Sequence, residues 1–232
     1  MMKSMFGLKM IRRSNDYGHH YFIANLSDRD IRESVPLAVS EKYGLWYDPM
    51  TDSYTKAQLT GNQLFVNLKS GESRILVCSD NEDIYPEGVV EENVSDVLEE
   101  IDLTANKWTL SFIDEQPKVG TTYKLDSLQT WETLGDSAAV TMGTGVYETI
   151  VKLSRDAACG NWSIDLGDVR ESARVYINNV YVGCAWAVPF VLDCKNALKK
   201  GKNIIRIEVT NLPANRIADL DRKGVKWRKM RE

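Results

Sequence analysis

The side chains of this 232-residue chain that could do chemistry are carboxylates and aromatic rings, not imidazoles or thiols. Splitting a glycosidic bond, for instance, takes two carboxyl groups, about 5–5.5 Å apart for retention and further apart for inversion. Glu132, Glu148, Asp165, Glu171 and Asp193 are scattered over outward strand positions and turns, and no spacing pairs two of them. They read as solvated charge. His19 and His20 are the only histidines, which excludes a histidine-rich metal centre and leaves a Ser-His-Asp triad just these two imidazoles. No GxSxG nucleophile elbow occurs. Cys78, Cys159, Cys184 and Cys194 form no CxxC pair, so no metal cluster is expected and the four read as small buried hydrophobes. Cys184 and Cys194 would approach each other only if their segments pair.

Binding chemistry is better represented. Trp186, followed by Pro189 and Phe190, could offer an aromatic platform to the apolar face of a sugar. The competing reading, a ring built into the framework, fits the usual burial of tryptophan and is preferred. Asn211, Asn215 and Arg216 in "TNLPANR" supply amide and guanidinium donors suited to hydroxyls or carboxylates. The same residues also suit a loop braced by asparagine–backbone bonds, with Arg216 paired to an acid such as Asp219. Trp131 in "LDSLQTWETLGD" sits in a loop and is the leading candidate for an exposed aromatic, with packing over the open end of the sandwich weighed equally against it. Trp46 and Tyr47 are expected to pack within their own sandwich, and Trp227 to dock on the body.

The elements that must position these residues are short strands. Alternating runs are punctuated by Gly, Asn, Asp and Pro, which argues for antiparallel β structure. In "NIIRIEVTN", Ile205, Ile207 and Val209 share one face and Arg206, Glu208 and Thr210 the other. Trp162, Ile164 and Leu166 alternate in the same way. Asn178-Asn179 can adopt the positive φ of a two-residue hairpin turn. Asp48-Pro49 and Ser70-Gly71 mark turns, and a short helical turn is expected from Cys194 to Lys200. The boundaries read as a small β-sandwich over 1–80, an acidic linker over 81–106, a jelly roll over 107–221 and a basic tail over 222–232.

Net charge is −4 but unevenly spread. Residues 81–106 hold nine acidic and no basic side chains, and residues 221–232 hold six basic and two acidic. A basic cluster confined to the tail is no nucleic-acid footprint. The acidic run lacks the DxDxDG spacing of a calcium loop and reads as a linker, partly packed and partly exposed. No apolar run is long enough for a membrane span. "MMKSMFGLKM" has too short an apolar stretch for a secretion signal.

Taken in order, "WSIDLGDVRESARVYINNVYVGCAWAVPFVLD" and "LKKGKNIIRIEVTNLPANRIADLD" resemble the galactose-binding-like jelly roll of large glycoside hydrolases. The closest likeness is to the C-terminal end of α-L-rhamnosidases of glycoside hydrolase family 106, and family 2-type enzymes carry a similar domain. "WTLSFI" and "GTGVYETIVKL" extend the match upstream, so that it covers residues 107–221. "YFIANLSD", "LWYDPMTD" and "LKSGESRILV" resemble, more loosely, the β-sandwich that precedes this jelly roll. The catalytic barrel of such enzymes, with its acids, is absent, and the chain ends at "KWRKMRE" where relatives continue into another strand.

The resemblance implies an all-β chain, a β-sandwich followed by a galactose-binding-like jelly roll. It implies a non-catalytic accessory region, structural or carbohydrate-binding, of a larger glycoside hydrolase. Such a chain is expected to be inactive alone. An independent carbohydrate-binding module and a small complete glycosidase are the alternatives. Implied partners are a carbohydrate and the missing catalytic domain, with neither nucleic acid nor membrane. Trp131, Trp186, Asn211, Asn215 and Arg216 are the candidate carbohydrate contacts. No cofactor is implied; related jelly rolls often hold a structural calcium ion, but no ligand set can be read here. The parent enzymes are usually exported, and no signal peptide is expected in this chain.

Overall fold

The computed structural model describes residues 7–92, 97, 99–194 and 196–227. The opening residues 1–6, positions 93–96 and 98 of the acidic run and positions 228–232 of the basic tail lie outside the described residues. The chain forms two compact units, Met1–Leu98 and Glu99–Glu232.

In the first unit the described strands are β1 (Leu8–Asn15), β2 (Gly18–Asn25), β3 (Ile31–Pro36), β4 (Tyr43–Asp48), β5 (Ser53–Lys56), β6 (Leu59–Thr60), β7 (Gln63–Leu68), β8 (Ser73–Ser79) and β9 (Val90–Glu91). They build one sheet in the order β1-β2-β8-β4-β5-β9 and a smaller one in the order β3-β7-β6. Period-two alternation decides what lies inside. In β7, Leu64, Val66 and Leu68 are buried, while Gln63, Phe65 and Asn67 are not. These residues join Tyr21, Ile23, Trp46, Leu76 and Cys78 in one hydrophobic core. Trp46 packs inside the sandwich as expected.

Two turns do the joining. Asp48 accepts from the Met50 backbone N–H at 2.8 Å and from the Thr51 hydroxyl at 2.9 Å, closing the β4–β5 hairpin at Asp48-Pro49. The Ser70-Gly71 turn does something different, because β7 pairs with β3 and β6 whereas β8 pairs with β2 and β4. It carries the chain from one sheet to the other. Asn25 anchors that crossing by donating to the carbonyls of Arg29, Leu68 and Lys69.

The second unit contains β10 (Trp108–Gln116), β11 (Tyr123–Leu125), β12 (Met142–Leu153), β13 (Ser163–Asp165), β14 (Ser172–Ile177), β15 (Val180–Ala185), β16 (Val191–Asp193) and β17 (Gly201–Thr210). Two short helices accompany them, α1 (Asp136–Ala139) and α2 (Ala214–Arg222). The main sheet runs β11-β10-β12-β17-β14-β15, and β13 pairs with β16. The molecule is therefore all-β, as its sequence predicts.

Local signals hold well here. Asn178 and Asn179 have φ of 52° and 66°, the left-handed pair that a two-residue hairpin between β14 and β15 requires. Trp162, Ile164 and Leu166 pack together on the core containing Val175, Ile177 and Ile205. Two expectations fail. The described part of the Cys194–Lys200 segment is an irregular turn rather than helical. Asn203 holds it open by accepting from the Lys199 N–H at 2.9 Å and donating to the Lys199 carbonyl at 2.7 Å. Conversely, the stretch after "TNLP", read as a loop, is the helix α2. Asp219 fastens it by accepting from Arg216 (i, i+3) at 3.1 Å and from Lys223 (i, i+4) at 2.8 Å.

Candidate functional site

Backbone register brings the candidate carbohydrate contacts of the second unit toward one end of its main sheet. Thr144 on β12 pairs with Thr210 on β17, and Ser172 on β14 pairs with the same Thr210. Asn211 follows directly, then α2 with Asn215 and Arg216. Trp186 leaves β15 one residue after Ala185, which pairs with Ala173 beside Ser172. Trp131 opens a 3-10 turn over Trp131–Thr133, ahead of β12.

The two tryptophans differ sharply in exposure. Trp131, read equally as an exposed ring or as packing over the open end of the sandwich, is 6% exposed. It packs edge-on against Phe112 with 5.7 Å between ring centroids and stacks over Tyr147 at 6.3 Å. Tyr147 pins the loop by donating its hydroxyl to the Gln129 carbonyl at 3.1 Å. Gly145 makes room for the ring, since a Cβ there would lie 2.5 Å from Trp131 Cζ3. Trp186, read as framework, is 62% exposed. Its companion Phe190 turns inward with Val169, Ala173 and Ala185, so the two rings do not share one platform.

The polar candidates are committed internally. Asn211 accepts from the Gly143 N–H and donates to the Thr141 carbonyl, both at 3.0 Å, stitching the end of β17 to the start of β12. Asn215 donates to the Glu132 carboxylate at 2.8 Å. Arg216 is paired with Asp219. Lys223 supplies the main pull that holds the Asp219 carboxyl below its ordinary range, with Arg216 and Arg222 adding to it. This face is thus a braced corner with a single exposed ring beside it.

Several of the remaining polar groups are bonded locally. Glu132 is bonded to Asn215, and Asp165 caps the Gly167 N–H at 2.9 Å. His19 bonds Glu41, and His20 bonds Asn15 at 3.3 Å. Cys78 is fully buried and burial pushes its thiol up to about 12, so it is no nucleophile despite lying across the β2–β8 ladder from His19. All four cysteines are free, but only Cys78 and Cys194 are buried, Cys184 being partly and Cys159 fully exposed. Among the described residues no group of three His, Cys, Asp or Glu side chains could hold a metal ion. No helix among them is long and apolar enough to cross a membrane.

Sequence reasoning missed a cavity of about 300 Å³ on the first unit. Trp46, Asp48, Ser53, Thr55, Arg74 and Glu92 line it. It exists because β9 adds in parallel to β5, with Thr55 opposite Val90 and Lys56 opposite Glu91. This draws Glu92 out of the acidic run onto Arg74, whose Nη1 donates to Glu92 Oε1 at 2.7 Å. Burial pushes the Glu92 carboxyl above its ordinary value, against the pull of Arg74.

No protein-family model matches the chain. A putative beta-glucuronidase of Formosa agariphila is 30% identical over 134 residues, covering 53% of this chain and 11% of that protein. The structure of a rhamnosidase from Novosphingobium sp. PP1Y matches 96% of this chain and 21% of its own, with a TM-score of 0.72 and 20% identity. The chain therefore shares the fold of one segment of that rhamnosidase and spans only a small part of either protein's length. Its relatives are described as glycoside hydrolases.

Proposed function

We propose that this chain is a non-catalytic accessory region of a larger, exported glycoside hydrolase, a β-sandwich followed by a galactose-binding-like jelly roll. Its task is to buttress a catalytic domain supplied by other sequence. The observation that carries this reading is the asymmetry of the fold match: 96% of this chain corresponds to 21% of a rhamnosidase. The internal commitment of Asn211, Asn215 and Arg216 supports a scaffold over a sugar site at that corner. The test is turnover of 4-nitrophenyl α-L-rhamnopyranoside and 4-nitrophenyl β-D-glucuronide by the purified chain. The expected rate is that of buffer alone, and a saturable rate would overturn the reading.

A second reading, an independent carbohydrate-binding module, is favoured by the 62% exposure of Trp186. It requires saturable glycan binding by the wild-type chain that disappears in Trp186→Ala. A glycan-array screen of both proteins separates the two readings.

A further inference from the structure

The larger sheet of the first unit carries an apolar row that the backbone register lines up across five strands. Ile11 on β1 pairs with Phe22 on β2, Phe22 with Ile75 on β8, Ile75 with Tyr47 on β4, and Tyr47 with Tyr54 on β5. The adjacent row holds Tyr21, Leu76 and Trp46, which are buried in the core, so period-two alternation turns this one outward. Ile11 is 61% exposed, Phe22 44% and Tyr54 41%. Tyr47 and Tyr54 stack with ring centroids 4.8 Å apart and planes 21° from parallel. The Tyr47 hydroxyl donates to Asp52 at 3.3 Å, so this end of the row is already ordered. At the other end, Lys9 and Arg13 lie two residues to either side of Ile11 on the same face of β1, and both are exposed. Lys56, two residues beyond Tyr54, is partnered by Glu91 at 3.7 Å.

We propose that this row binds an extended acidic polysaccharide, with sugar rings laid along Phe22, Tyr47 and Tyr54 and acidic groups of the chain meeting Lys9 and Arg13. The dimensions select a narrow ligand. Strands about 4.8 Å apart make the row about 19 Å long, and one row is about 7 Å wide. A strip of about 130 Å² is far below the roughly 800 Å² per partner that a stable protein interface takes. The C–H faces of sugar rings rest on aromatic and aliphatic side chains alike, which suits a row that mixes the two. Charge selects the acidic class, because the cations at the β1 end flank the apolar row on both sides. A single-stranded nucleic acid is also narrow and acidic, but it carries a phosphate on every unit, and two cations at one end answer few of them. The proposal uses the first unit alone, so it holds whether or not the chain buttresses a catalytic domain.

The test is calorimetric titration of the whole chain with polygalacturonate, alginate and chondroitin sulfate, with neutral galactomannan and oligo(dT) alongside. The expected result is saturable binding of the wild-type chain to at least one acidic polysaccharide, tighter than to galactomannan or oligo(dT). Tyr54→Ser, at an exposed position outside the core, should weaken that binding about three- to tenfold. Ile11→Ser should weaken it as well. Lys9→Gln combined with Arg13→Gln should weaken it and flatten its dependence on salt. Trp186→Ala, in the other unit, should leave it unchanged. Thermal melts matching the wild type show that each variant is folded. The proposal is overturned if no acidic polysaccharide binds, if galactomannan or oligo(dT) binds as tightly, or if Tyr54→Ser and Ile11→Ser bind like the wild type, which would mark simple ion exchange. Sedimentation velocity at rising concentration supplies the remaining arm. A dimer abolished by Ile11→Ser would assign the row to a second copy of the chain and overturn the proposal too.

Discussion

Asn215 on α2 donates to the carboxylate of Glu132 at 2.8 Å, across 83 residues of sequence. The bond ties the last helix to the turn that carries Trp131, and it lies in the open. An exposed bond of this kind is worth about 0.5–1 kcal/mol, so Asn215→Ala should lower the urea midpoint of the chain only slightly. Asn211 is different, because its amide satisfies the Gly143 N–H and the Thr141 carbonyl together. Asn211→Ala should cost about 1–3 kcal/mol by leaving both backbone groups unpaired. Urea unfolding of the two variants side by side checks the order. Equal effects would mean that Asn211 is not the stronger stitch.

Gly145 and Trp131 offer a steric prediction. A methyl group on Gly145 would meet Trp131 Cζ3 at 2.5 Å and Cε3 at 2.7 Å, with Leu110 behind at 3.3 Å. Gly145→Ala should therefore destabilise the second unit by about 1–3 kcal/mol through overpacking. Trp131→Ala should cost about 3–5 kcal/mol by opening a cavity among Phe112, Tyr147 and Leu110. Trp186→Ala should stay within about 0.5 kcal/mol of the wild type, since its ring is largely in water. Thermal unfolding by near-UV circular dichroism ranks the three.

The contrast between those tryptophans shows where sequence reading stops. The strand alternation and the Asn178-Asn179 turn depend on neighbours a few residues apart, and they were legible. The burial of Trp131 depends on Phe112, Tyr147 and Gly145, whose meeting is set by the β10–β12 register. A lone tryptophan in a polar loop carries no sign of that. Helix α2 hid behind "NLP", and its fastening at Asp219 spans spacings that a loop reading does not weigh. The cavity of the first unit was the least legible of all. It joins Trp46 to Glu92 through a two-residue parallel strand inside a run whose composition reads as linker.

Acid pH should act on Asp219 and Glu92 with opposite sign. Asp219 is held below its ordinary 3.8 in the folded chain, chiefly by the Lys223 hydrogen bond. Its contribution is complete above that value and is lost as pH falls through the lower folded pKa. Glu92 is raised above its ordinary 4.5 by burial. The folded state then holds that proton more tightly than the unfolded state, so stability falls as pH rises from 4.5 through the raised pKa. Urea midpoints measured between about pH 2 and pH 7 should lose the acid-side step in Asp219→Asn and the opposite slope in Glu92→Gln. An unchanged profile in Asp219→Asn would show that the Lys223 and Arg216 contacts do not order the helix.

Thiol chemistry offers the sharpest check on the two cores. Reaction with a disulfide reagent requires a thiolate and access to it. Cys78, on β8, is fully buried, and burial pushes its pKa to about 12. Cys194 is buried against Val175 and Ile205, and burial, with a smaller push from Asp193, raises it to about 11. Cys159 is exposed and Cys184 partly so. In native buffer, 5,5′-dithiobis(2-nitrobenzoate) should therefore label Cys159 quickly and Cys184 slowly, and should leave Cys78 and Cys194 intact until the chain is unfolded. Because Cys78 belongs to the first unit and Cys194 to the second, each reports the opening of its own core. Under rising urea, mass spectrometry of the labelled peptides should show whether the two thiols become reactive together or in turn. Rapid native labelling of Cys78 would contradict the sandwich core built around Trp46 and Leu76.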